Sequence, residues 1–97
     1  MNFREDQGFK LLVKALLSIE DEQECVDFLE DIMTRKEMED ISQRILVAKM
    51  LSEQAVYNRI VEETGASTAT ISRVNRAYNY GAGGYAKILD RIKEENK

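Results

Sequence analysis

Residues 60–74 read Ile-Val-Glu-Glu-Thr-Gly-Ala-Ser-Thr-Ala-Thr-Ile-Ser-Arg-Val. One glycine, Gly65, stands five positions after Ile60, six before Ile71 and nine before Val74. That spacing fits two helices that cross over a tight turn and share a small core, built from Ile60, Val61, Ala66, Ile71 and Val74. A glycine at the turn lets the backbone enter the left-handed region without a steric penalty. The run behind it, Ser67-Thr68-Ala69-Thr70-Ile71-Ser72-Arg73, reads as a slim helix with several hydroxyls and no carboxylate. Such a helix fits a DNA major groove, because it can hydrogen-bond there and does not repel phosphate. The stretch therefore reads as a helix-turn-helix.

The two helices are expected over residues 56–64 and 67–78. Ser67 is the expected N-cap of the second, and the backbone N–H groups at that end can hold a phosphate. Thr68, Ala69, Thr70 and Ser72 then fall on the exposed surface or its flanks. Near the helix start, hydroxyls can serve several bases and a methyl group can meet thymine. Arg73 and Arg76 are longer and suit phosphates or a ligand. Tyr57 and Asn58 open the first helix, which in such a unit crosses the DNA backbone. Val56, ahead of them, is a poor cap. The spacing by itself leaves a second possibility open, a helical hairpin within a bundle that binds no nucleic acid.

Outward from this unit the pattern stays helical. A first helix is expected over residues 3–19, with Phe9, Leu12, Val13, Leu16, Leu17 and Ile19 in a broad apolar stripe. The stripe is wide enough to pack on two sides, either in the core of one subunit or against a second chain. A second helix over 21–33 turns Val26, Phe28, Leu29 and Ile32 inward, and its acidic first turn suits the positive end of the helix dipole. Its acids read as a solvated face, not a metal site. Thr34-Arg35-Lys36-Glu37 matches a capping box and opens a third helix running to about residue 51, with Met38, Ile41, Ile45, Leu46, Ala48 and Leu51 on its apolar sides. Gly81-Ala82-Gly83-Gly84 is a joint or sharp turn. It lacks the Gly-Lys-Ser/Thr ending of a phosphate loop. A last helix follows over 85–95, with Tyr85, Ile88, Leu89 and Ile92 on one side. No strand pattern stands out, and the 97 residues allow one domain, 1–97, of six helices.

Composition narrows the function. The net charge is −4, but it is uneven: residues 20–40 carry ten acids and two bases, and the remainder twelve bases and eight acids. Residues 65–80 hold two arginines and no acid. Charges beyond a Debye length are screened, so this local balance outweighs the total. The footprint is still only weakly basic, which points to moderate affinity or to a dimer that doubles it. The chain has no histidine and a single cysteine, Cys25, so the usual zinc sites, histidine triads and internal disulfides are out of reach. With no carboxylate pair beside an evident pocket, an enzyme is not expected, nor a metal or cofactor. No leader, lipidation motif or long apolar run is visible, so no membrane association is expected and the default compartment is the cytoplasm.

The segment from Glu63 to Arg76, ETGASTATISRVNR, resembles the turn and recognition helix of the Trp repressor family, whose Gly-Ala step is followed by an Ala-Thr-Ile-Thr-Arg run. Here that run is Ala69-Thr70-Ile71-Ser72-Arg73. The likeness extends upstream through Thr34-Arg35-Lys36-Glu37 and Ile41-Ser42-Gln43-Arg44. The longer string TGASTATISRVNRAYNYGAGGY is similar to the YerC/YecD-type branch of Trp-repressor-like proteins. The resemblance implies an all-α fold of six helices, an intertwined homodimer, and two reading heads on successive major grooves of double-stranded DNA.

It also implies an effector pocket between the third helix and the recognition helix, with Thr34, Arg44, Thr70 and Arg73 at the family's ligand positions. Two positions depart from the pattern. Val74 replaces a glycine that follows the second arginine, and Ala77 replaces a serine that receives the ligand's amino group. The valine side chain would intrude, and the lost hydroxyl would leave an ammonium less satisfied. Both argue against tryptophan as the corepressor and leave a small-molecule effector uncertain. The expected function is a dimeric, DNA-binding transcriptional regulator, a repressor. The competing expectation is a protein-interaction module of the same fold that has lost DNA binding, for which the net charge of −4 speaks.

Overall fold

The computed structural model describes residues 2–95. All regular structure among them is helical. The chain divides into two compact units, residues 1–35 and 36–97.

The first unit holds a 3-10 turn, Phe3–Glu5, then helices α1 (Gln7–Ser18) and α2 (Glu22–Ile32). The single helix expected over 3–19 is interrupted at Asp6, whose extended backbone and side chain make it the N-cap of α1. Its carboxylate accepts from the Phe9 N–H at 3.0 Å. A local side-chain bond has won over helix continuation, as short acidic side chains tend to do. Phe3 packs edge-on against Phe9, with ring centroids 5.1 Å apart. Asp21 caps α2 in the same way, accepting from the Glu24 N–H at 2.8 Å. No described residue of this unit is fully buried. The stripe of α1 is part open: Leu17 is 81% exposed and Val13 and Leu16 are exposed too, as is Leu11 outside the stripe, while Phe9, Leu12 and Ile19 are half-buried.

The second unit contains α3 (Arg35–Ser52) from its second residue on, α4 (Tyr57–Thr64), α5 (Thr68–Tyr80) and α6 (Gly84–Glu95). Its core is Val47, Ala48 and Met50 from α3, Ile60 from α4, Ala66 from the turn, and Ile71 and Val74 from α5. Tyr78, Tyr85 and Leu89 pack against this cluster. Two expectations are corrected here. Of the residues expected on the apolar sides of α3, Ala48 is buried and Leu51 packs against the core, but the other buried residues are Val47 and Met50, and Ile41, Ile45 and Leu46 remain exposed. Apolar residues surround this helix, so periodicity alone does not single out the face that α4 and α5 cover. Val61 is 37% exposed and outside the core. It lies one position, roughly 100° of helix, past Ile60, which already fills the inward side.

The connection between α3 and α4 is a Schellman motif. The Ala55 N–H donates to the Met50 carbonyl and the Gln54 N–H to that of Leu51, the paired reach-back bonds that close a helix C-terminus. Gln54 occupies the left-handed position with φ 63°. α5 runs to Tyr80, two residues beyond its expected end, and the Gly81 N–H closes its last turn on the Ala77 carbonyl at 2.9 Å. α6 begins at Gly84, one residue early.

Candidate nucleic-acid interface

The turn between α4 and α5 is held by a dense set of local bonds. Gly65 has φ 71°, the left-handed conformation its place at the turn requires, and its N–H donates to the Val61 carbonyl at 2.9 Å. The Thr64 hydroxyl donates to the Ile60 carbonyl at 2.7 Å and accepts from the Ala66 N–H at 3.1 Å. The Thr64 carbonyl accepts from the Gln43 side-chain amide of α3, also at 3.1 Å. With Ala66 buried behind them, these bonds fix where α5 begins.

Ser67 caps α5 as expected. Its hydroxyl oxygen accepts from the Thr70 N–H at 3.1 Å and its proton is donated to the Thr70 hydroxyl oxygen at 3.0 Å. Ile71 and Val74 anchor the inner side of the helix in the core. The outer side therefore presents Thr68, Ala69, Ser72 and Arg76, all exposed, with Ser67 beside them. No carboxylate occurs on α5. Tyr57 and Asn58 open α4 and are also exposed. Val56 makes no side-chain cap, as its chemistry leads one to expect. The assembly offers hydroxyls, a methyl group and free N–H groups at a helix start, a combination able to meet base edges and phosphate oxygens.

Three of the expected effector residues come together. Arg44 of α3 and Thr70 and Arg73 of α5 line one cleft of about 180 Å³, along with Asp40, Gln43 and Val74. Thr34 stands in the first unit, directly ahead of α3. Val74 is only 3% exposed and forms part of the cleft wall, so its side chain occupies the space that a glycine would have left open. Ala77 is exposed. Asp40 and Gln43 were not among the expected site residues. Asp40 precedes Arg44 by four positions, one helical turn, and that spacing is the signal that could have found it. The Lys36 ammonium donates to Asp40 Oδ1 at 2.7 Å, and this hydrogen bond, with the attraction of the same carboxylate, holds Lys36 above its ordinary basicity. Among the described residues neither Arg44 nor Arg73 has a hydrogen bond or an ion pair.

No helix is long and apolar enough to cross a membrane, and no metal-binding cluster occurs among the described residues.

Comparison with known proteins agrees with this architecture. A sequence profile for the Trp repressor protein family matches residues 7–93. The uncharacterized protein YerC of Bacillus subtilis is 49% identical over 83 residues, covering 86% of this chain and 80% of its own length. Among solved structures, a TrpR-like protein from Eubacterium eligens superposes with a TM-score of 0.90 at 48% identity, covering 96% of both chains. A candidate Trp repressor from Staphylococcus aureus gives 0.88 at 40% identity, with 96% and 95% coverage.

Proposed function

This chain belongs to the Trp repressor family, in its YerC-type branch, and on that premise we propose that it is a sequence-specific DNA-binding transcriptional regulator. It acts as a homodimer, as a repressor, and from the cytoplasm, with residues 1–97 forming one Trp-repressor-like domain. The family and fold are those of a transcription regulator, not of an enzyme.

The observation that carries the reading is the outer face of α5, where Thr68, Ala69 and Ser72 are exposed at the start of a carboxylate-free helix whose inner face is locked into the core. Thr68, Ala69 and Ser72 read base edges. Ser67 and Thr70 flank them, and the helix start holds a phosphate. Arg73 and Arg76 contact phosphates, and Tyr57 and Asn58 lie along the DNA backbone. The exposed part of the α1 stripe and the open Ile41, Ile45 and Leu46 of α3 support burial against a second copy. Tryptophan is not favoured as effector, because Val74 fills part of the cleft wall and Ala77 offers no hydroxyl.

A gel shift against genomic fragments, repeated over a salt series, tests the proposal. Saturable binding to particular fragments, weakening steeply with salt, is expected. Equal affinity for every fragment, at every salt concentration, would count against a site-specific regulator. The second reading, a protein-interaction module, draws on the net charge of −4. It would be preferred if no fragment is retained while a protein partner is captured through α5.

A further inference from the structure

The bond between Gln43 and Thr64 stands apart from the others in this chain. Outside residues 34–39, it is the one side-chain hydrogen bond among the described residues that joins positions more than four apart. Its acceptor explains the need for it. Thr64 is the last residue of α4, and the final carbonyls of a helix receive no intrahelical N–H. A half-buried carbonyl without a donor is costly. The Gln43 amide of α3, half-buried as well, supplies the proton at 3.1 Å. Thr64 is also the hub of the turn. Its hydroxyl donates to the Ile60 carbonyl and accepts from the Ala66 N–H. One residue is thereby tied to α3 through its carbonyl, to α4 through its hydroxyl proton, and to the start of the α5 segment through its hydroxyl oxygen. Ser67, the cap of α5, follows three positions later, and Thr68, Ala69 and Ser72 lie within eight.

Packing and hydrogen bonding hold the reading helix in different ways. The shared core of Val47, Ile60, Ile71 and Val74 keeps α3, α4 and α5 together, but apolar contact is non-directional. A hydrogen bond weakens steeply as it departs from linear. The Gln43–Thr64 bond therefore selects one setting of the turn against α3. Base-edge contacts need that precision, because donors and acceptors have to meet at hydrogen-bond distance. Phosphate contacts carry no sequence information and draw mainly on charge, so they tolerate a shift of the helix far better.

We propose that Gln43 is a positioning residue for base readout: through the Thr64 carbonyl it sets the angle at which α5 meets the duplex, without touching the DNA itself. This rests on the DNA-binding reading and adds to it a determinant of specificity that lies on α3, outside the helix-turn-helix.

Two variants of the full chain test it. Gln43→Met keeps the length of the side chain and removes the donor. Gln43→Glu keeps length and polarity, but its carboxylate at neutral pH only accepts. Affinity is read by fluorescence anisotropy on a fragment retained in the gel shift and on a scrambled duplex of equal length. The temperature is one at which circular dichroism shows every protein fully folded. The ratio of the two affinities should fall by about three- to tenfold in both variants, the factor that one neutral hydrogen bond carries. Gln43→Met should leave affinity for the scrambled duplex within about twofold. Without DNA, the Gly65 N–H resonance, in the same peptide group as the Thr64 carbonyl, should shift in both. Leu89→Ala, which removes packing against the core from α6, should lower the melting temperature and keep the ratio. A ratio unchanged in the folded variants would overturn the role of Gln43 alone. So would equal losses on both duplexes, or loss of the fold in both variants, either of which would make the bond purely structural. A falling ratio with an unmoved Gly65 resonance would overturn the route through Thr64. A wild-type protein that prefers no fragment would instead refute the DNA-binding reading, and this proposal with it.

Discussion

Gln54 and Gly65 both hold a positive φ at a helix C-terminus, and they call for opposite substitutions. Gly65 has φ 71°, and a Cβ built there meets nothing within 4 Å. The cost of Gly65→Ala is therefore purely conformational. An L-residue in this region loses about 1–2 kcal/mol, while the stiffer unfolded chain returns about 0.4–1 kcal/mol. The net expectation is a destabilisation of about 1 kcal/mol. Gln54 holds φ 63° at the end of α3 with the same conformational burden and no glycine to relieve it. Gln54→Gly should thus stabilise the fold, by up to about 1 kcal/mol on the same arithmetic. Urea unfolding followed by far-ultraviolet circular dichroism measures both, at one fixed protein concentration because dimerisation would move the midpoint. In thermal melts a change of 1 kcal/mol corresponds to about 4–8 °C in a domain of this size. A stabilised Gly65→Ala, or a destabilised Gln54→Gly, would refute the assignment of these turns.

Other consequences can be checked singly. Ser67→Ala removes the N-cap of α5 and should cost about 1 kcal/mol in the same unfolding assay. Ile71→Val, at a fully buried position, should cost about 0.5–1.5 kcal/mol, with the denaturant slope unchanged. Thr68→Glu places a carboxylate at the first position of α5, where the helix dipole welcomes it but DNA phosphates do not. Circular dichroism and melting temperature should hold steady while affinity for a retained DNA fragment, read by fluorescence anisotropy, drops by about tenfold or more. Loss of the fold instead of the affinity would contradict the placement of Thr68 on an outer face.

The helix-turn-helix was legible because its signals are local. Gly65 supplies the left-handed turn, Ser67 the cap, and Ile60, Ile71 and Val74 recur at the spacing that one shared core requires. The signals that failed were less specific. The Schellman turn at Gln54 carries no glycine, so nothing in its residue types announces a left-handed backbone. Asp6 sits inside an otherwise continuous helical pattern, and only its bond to the Phe9 N–H shows that it ends one segment and starts another. On α3, apolar residues lie on every side, so which of them are buried depends on where α4 and α5 pack. The cleft was legible in part. Arg44, Thr70 and Arg73 were expected from resemblance, whereas Asp40 and Gln43 emerged only once α3 and α5 were seen to share a wall. Gln43 is the clearest case, because its bond to the Thr64 carbonyl spans 21 positions and no local pattern encodes it.

The central claim is that the exposed face of α5 reads duplex DNA in a two-fold assembly. Hydroxyl-radical footprinting on a fragment retained in the gel shift tests it most directly. Two protected half-sites are expected, their centres about 34–36 Å apart along the duplex, and both should vanish together with Thr68→Glu. A folded protein that leaves the fragment evenly cleaved, or whose protections survive that substitution intact, would contradict the account.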